Sequence, residues 1–174
     1  MMAAILIVSL ADAAPTPVLG PGDRMPLLRG EFLSGRKGVL PDAARGRVAL
    51  VALGFSYDSR FAVEAWTARF RRDFGADSAF TFFEVPVIGG LARAARPFID
   101  GGMRRGTPKA LHENVITVYG GAGEWKLRLG FREPDDAYLL LLDRAGRVVW
   151  RHAGPFREED YALLAAKAGQ RLTP

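Results

Sequence analysis

The sequence predicts an α/β domain, a mixed central sheet flanked by helices, and three features carry that expectation. Val48 to Phe55 is an apolar run interrupted only by Gly54, short and β-branched at its start, as a strand buried on both faces should be. A helical pattern follows, with Ala62, Trp66, Phe70 and Phe74 on one stripe. Ala79 to Val87, AFTFFEVPV, is then strongly β-prone. Strand, helix, strand in that order implies a parallel pair joined by a right-handed crossover.

Between the first strand and the helix stand Ser56, Tyr57, Asp58 and Ser59. Ligands of open α/β sheets gather at the carboxyl ends of strands, so this joint is the first candidate site. Asp58 or Ser59 is expected to cap the helix by accepting from its first free N–H groups.

The 174 residues suffice for one domain with a real core, and 49% apolar with 25% charged content is ordinary for a globular chain. A net charge of +5 and a pI near 10.0 fit either a solvated basic surface or an acidic partner, anionic lipid or nucleic acid. No basic run with interleaved aromatics supports nucleic acid, so no nucleic-acid partner is expected. The chain has no cysteine, which excludes disulfides, thiolate metal sites and cysteine catalysis. It has two histidines, His112 and His152, too few for a histidine-rich metal site. No metal and no cofactor are expected.

Ala3 to Leu10 is apolar, and Ala11-Asp12-Ala13 is a small-x-small pattern before Pro15 and Pro17. With no Lys or Arg ahead of it, this reads as the back half of a truncated secretory signal, or else as a frayed apolar helix. The first reading implies the periplasm or cell envelope; the second leaves the cytoplasm. Residues 14 to 24, rich in Pro and Gly, read as a linker, so 1–24 is set apart from a domain at 25–174.

Leu27 to Leu33 and Lys37 to Leu40 flank Ser34-Gly35 as an N-terminal hairpin. Asp42 to Gly46 is a turn, and Gly75 ends the central helix. In the second strand, Pro86 is expected to mark the end, and Glu84 is a carboxylate among aromatics that needs a partner. It is either an ordinary structural pair or an edge position, or it stands near the strand ends with Ser56 to Ser59. Leu91 to Ile99 is expected to be helical until Pro97 disturbs it, and Gly101 to Pro108 to be loop. From Leu91 to His112 five basic residues (Arg93, Arg96, Arg104, Arg105, Lys109) face the single acid Asp100, a net of +4. Val115 to Tyr119 is a short strand and Trp125 to Gly130 a short helix or turn. Ala137 to Leu142, a turn at Asp143 to Gly146, and Arg147 to His152 form a hairpin, with His152 facing solvent. A helix with Tyr161, Leu164 and Ala168 on its apolar stripe follows.

This order, with LLLLDRAGRVVWRHAGPF as terminal hairpin and GDRMPLLRGEFLSG as N-terminal hairpin, resembles the thioredoxin-like fold in its redoxin and TlpA-type branch. The resemblance implies a three-layer sandwich. In that branch the loop after the first core strand carries Trp-Cys-x-x-Cys; here it reads Phe55-Ser56-Tyr57-Asp58-Ser59, with serine at both cysteine positions. The position of the family's cis-proline matches Ala137. A narrower resemblance, to the mitochondrial ATP synthase F-zero assembly factor family, rests on Trp66 and Phe70, Glu84-Val85, and Leu141-Leu142-Asp143 with Gly146, Val148 and Trp150.

A serine hydroxyl cannot perform thiol–disulfide exchange, which needs an attackable sulfur. Ser56 has no Gly-x-Ser-x-Gly elbow, and a nucleophile needs a base, for which His112 and His152 are the available histidines. Two adjacent guanidiniums suit a carboxylate or phosphate, which makes Met103, Arg104, Arg105 and Thr107, with Glu84, Arg93 and Arg96, the binding candidates. The expected function is a non-catalytic domain that binds a partner protein, membrane-associated partners and an anionic ligand or lipid included, as an accessory or assembly factor. The alternative is an enzyme or binding protein acting on a small anionic substrate through Ser56, Glu84 and Arg104 with Arg105.

Overall fold

Seven uncharged residues, Val48–Gly54, form strand β3, and all of them are buried. The computed structural model describes residues 17–170, apart from the side chains of residues 91–93. The signal-like segment from Ala3 to Ala13 lies outside the described residues. Ahead of β3 come β1 (Leu28–Phe32) and β2 (Lys37–Leu40), the expected hairpin. After it come α1 (Ser59–Phe74), β4 (Phe80–Ile88), α2 (Arg96–Gly106), β5 (Ile116–Tyr119), α3 (Ala122–Leu129), β6 (Ala137–Leu142), β7 (Val148–Gly154) and α4 (Glu158–Gly169).

One mixed sheet runs β2-β1-β5-β4-β3-β6-β7. β3 pairs parallel with β4 and antiparallel with β6, so the most apolar strand lies at the centre. Alternation of side chains sends Ala49, Val51, Leu53, Phe83, Val85, Ile116 and Val118 to one face, where Trp125 and Leu129 of α3 cover them. Val48, Leu50, Ala52, Phe80 and Phe82 go to the other face, under Val63, Trp66 and Phe70 of α1 and Tyr161, Leu164 and Ala168 of α4. Trp66 is fully buried, and its ring touches Trp150, His152, Phe156 and Tyr161. Truncating such a ring to alanine costs about 3–5 kcal/mol.

Five expectations are corrected. Pro86 does not end β4, which continues to Ile88. The proline sits at Gly54↔Pro86, the last pair of the β3 ladder, and the β5 ladder begins at Val87↔Val118, so its missing N–H falls where partners change. Pro97 does not break a helix: it occupies the first turn of α2, where no N–H partner is needed, and Met103 to Gly106 are helical rather than loop. Residues 17–24 are not a loose linker. Leu19 is buried, its N–H donates to the Arg128 carbonyl at 2.8 Å, and the Gly22 N–H to the Val148 carbonyl at 2.8 Å. His152 is half-buried rather than fully solvent-facing, its ring stacked on Trp150 at 8° between planes.

Candidate functional site

The joint after β3 is a closed polar turn. The Ser56 hydroxyl accepts from the Ser59 N–H at 2.9 Å and donates to Asp135 Oδ1 at 2.7 Å. The Ser59 hydroxyl donates to the Ser56 carbonyl at 2.8 Å and receives the Ser56 N–H at 3.3 Å. Capping is therefore done by Ser56; the Asp58 side chain makes no cap bond, and Ser59 turns inward with 1% exposure. Gly54 makes room for this: a Cβ there would come 2.5 Å from Ser59 Oγ.

Asp135 is delivered by the loop before β6, and a tyrosine organises that loop. The Tyr138 hydroxyl accepts from the Arg132 and Glu133 N–H groups at 2.9 and 3.0 Å and donates to the Glu133 carbonyl at 2.8 Å. Its ring meets Phe55 edge-on and stacks on Phe131, so the residue before Ser56 is anchored to the same loop.

Outside this closed turn the joint presents a different surface. Tyr57 is 73% and Phe61 59% exposed. The Arg60 guanidinium lies over both rings, 3.8 Å from the Tyr57 centroid and 4.4 Å from that of Phe61. Contacts of this kind contribute about 0.5–1 kcal/mol at exposed sites, enough to hold one flat aromatic–cationic patch. Phe61 stands beside Ala62, off the buried stripe, and an aromatic at such a position is the sequence signal of an exposed anchor.

The other candidates do not converge on this corner. Glu84 pairs with Ala52 within the sheet and accepts from the Thr67 hydroxyl of α1 at 2.6 Å. It stands in a cleft of about 230 Å³ lined also by Glu64, Arg71, Phe82, Thr107 and Leu111. Burial pushes its carboxyl above the ordinary glutamate range, against the Thr67 bond. Arg96 is engaged with Glu31 at 2.7 Å and Asp100 at 3.3 Å, and Arg104 donates to the Leu33 carbonyl at 2.8 Å. Arg105 is exposed, Met103 half-buried, and the Thr107 carbonyl lies 3.0 Å from His112 Nε2. The side chain of Arg93 is outside the described residues. His152 lies 3.7 Å from Asp160. Neither histidine is a hydrogen-bond partner of Ser56 among the described residues; the Ser56 hydroxyl donates to Asp135.

No family model matches the chain, and no curated protein matches it. Solved structures do. A thiol:disulfide interchange protein DsbE from Chlorobium tepidum is 20% identical, with a TM-score of 0.57 over 88% of this chain and 99% of that one. The exposed lipoprotein thioredoxin Etrx1 from Streptococcus pneumoniae is 16% identical, TM-score 0.54, over 82% and 98%. BsSco, of the Sco family of cytochrome c oxidase assembly proteins, is 11% identical, TM-score 0.55, over 87% and 98%. These likenesses establish a thioredoxin-like α/β fold, here in a chain with no cysteine.

Proposed function

We propose that this chain is a non-catalytic thioredoxin-like domain that binds a protein partner through the Tyr57–Arg60–Phe61 corner. Its service is that of an accessory or assembly factor for a membrane complex at the cell envelope. One observation carries the reading. At the positions where the redoxin branch has its cysteine pair, both serine hydroxyls are spent on the turn itself and on Asp135. Directly beside them, two large aromatic rings face water with the guanidinium of a half-buried arginine laid over them. Exposed aromatics with arginine are the residue types that anchor protein interfaces.

The envelope and assembly parts of the reading draw support from the fold neighbours, one named as an exposed lipoprotein and one as belonging to a family of assembly proteins. The narrower likeness to the F-zero assembly factors remains part of the proposal. An anionic-substrate site built from Ser56, Glu84, Arg104 and Arg105 has less support, because these groups share no cleft and Arg104 is committed to Leu33 and Glu31.

The test is capture from detergent-solubilised membranes of the source cell, with the wild type beside Arg60→Glu and Leu163→Ala. Leu163 is a comparably exposed residue on α4. A specific partner should be retained by Leu163→Ala and lost by Arg60→Glu, with both variants melting within a few degrees of wild type. Equal capture by all three would remove the corner from the proposal.

A further inference from the structure

We propose that α2 is a latched flap: it lifts as one unit from the face of β1 and β5 while the rest of the fold stays closed, and ionic strength sets how often it does so. The flap uses other residues than the Tyr57 corner and does not depend on the reading of that corner.

As a helix, α2 has little of its own to hold it. Its 11 residues are a marginal length for an isolated helix. Ala95 stands at the N-cap with no side-chain cap bond, no acid lies in the first turn, and Arg96 places a cation there against the helix dipole. Gly101 and Gly102 occupy the interior, and glycine favours helix less than any residue but proline. Both ends are articulated. Gly90, at φ 64°, opens the turn that leads in, and Thr107 and Pro108 lead out in extended conformation.

What seats the helix is a set of charges. Arg96 donates to Glu31 of β1 at 2.7 Å and to Asp100 at 3.3 Å, and the Tyr119 hydroxyl of β5 donates to Asp100 at 2.7 Å. The Arg96 guanidinium also lies 4.8 Å from the centre of the Tyr119 ring. Among the side chains described on α2, Asp100 alone is fully buried; Ile99 and Met103 are half-buried and Phe98 faces water. Arg96 and Glu31 are both partly exposed, so dissolved salt screens their attraction. The closed state also carries a defect beneath the helix. Thr117, the register partner of Glu31, is buried, and its hydroxyl has no hydrogen-bond partner among the described residues. Water restores that bond when the helix lifts, which favours the open state. A weak helix, a polar latch and an unpaired hydroxyl below it together bring the open and closed states near in free energy.

The experiment is amide hydrogen exchange of the folded chain, read residue by residue by NMR and corrected for intrinsic rates. The α2 amides should share one level of protection, at least about a hundredfold below that of β3. Sub-denaturing urea should speed β3 exchange steeply and α2 exchange only slightly, because lifting one helix exposes far less surface than unfolding the chain. Raising NaCl from about 0.05 to about 1 M should speed α2 exchange several-fold. Tyr119→Phe, which removes a latch bond, should speed it about tenfold. Gly101→Ala with Gly102→Ala should slow it about twentyfold, roughly fivefold for each site. Both positions have room: a Cβ at 102 meets nothing within 4 Å, and one at 101 meets only Arg105 Nη1 at 3.5 Å. The alanine variant keeps the test decisive if Tyr119→Phe disturbs the whole fold. Equal urea dependence in α2 and β3, protection graded inward from the helix ends, or α2 exchange indifferent to salt or to the alanine variant would overturn the proposal.

Discussion

Thr67 has one hydroxyl proton and three oxygens within reach: Glu84 Oε1 at 2.6 Å and the carbonyls of Val63 at 3.0 Å and Glu64 at 3.3 Å. It donates to Glu84 when that carboxyl is ionised; when Glu84 is neutral, Glu84 donates and Thr67 turns to the Val63 carbonyl. Burial, the dominant effect, favours the neutral form and raises the carboxyl above its ordinary value of 4.5. The folded chain therefore holds this proton more tightly than the unfolded chain. That contribution to stability is full below 4.5 and is lost as pH rises through the raised folded value. Glu84→Gln removes the titration while keeping the shape. Thermal melts should match wild type below about pH 4 and show the variant more stable at about pH 8, the gap opening between. A gap of constant size, or one favouring wild type at high pH, would contradict this. A second residue-scale prediction concerns Ser56 and Ser59, whose hydroxyls and backbones already interlock. Ser56→Cys with Ser59→Cys should close to an intramolecular disulfide under mild oxidant, because the mutual hydrogen bonds hold the two residues together and a bridge needs Cα atoms about 4.4–6.8 Å apart. Two free thiols by mass spectrometry in a folded, oxidised sample would refute it. The sequence identified both serines and the partner requirement of Glu84. It did not reveal that Ser56 is the cap, because that depends on Asp135, distant in the chain and brought close by the Tyr138-anchored loop.

At the scale of elements, α2 differs from its neighbours in how it is held. Asp100 is its one fully buried residue among those with described side chains, and Phe98 is 83% exposed. What fastens it to β1 and β5 is polar: Arg96 to Glu31 and Asp100, the Tyr119 hydroxyl to Asp100 at 2.7 Å, and Arg104 to Leu33. Asp100 and burial together raise the Tyr119 hydroxyl above its ordinary range, burial being the larger cause. The two adjacent arginines are therefore not equivalent: Arg104 donates to the Leu33 carbonyl, and no such bond is described for Arg105. Arg104→Ala should cost about 1 kcal/mol, the typical net contribution of one hydrogen bond, and Arg105→Ala should stay within about 0.5 kcal/mol. Denaturant titrations of the two variants decide it, and equal losses would contradict the distinction. This region was the least legible in sequence for a physical reason. Its residues follow no apolar periodicity because ion pairs replace apolar packing, and Pro97 looks like a breaker until its place in the first turn is known. By contrast β3 and β6 were legible because burial on both faces demands uniformly apolar runs.

For the whole molecule, the architecture followed from the order of its apolar runs, and solved structures at 11–20% identity share it. The function did not follow in the same way. A fold of this kind hosts unrelated activities, so the site has to decide. Here the pattern of types, serine where the branch has cysteine, pointed to the corner, but the exposure of Tyr57 and Phe61 and the placement of Arg60 between them depended on how α1 seats Ser59 against Gly54. The central claim is that this corner is a protein-binding surface. The most direct measurement places a photo-crosslinking amino acid at position 57, at position 61, or at position 163 on the exposed face of α4, in cells of the source organism. The account predicts the same discrete adduct from positions 57 and 61, absent from 163 and abolished by Arg60→Glu. No adduct at 57 or 61, or an identical ladder of adducts at all three positions, would contradict it.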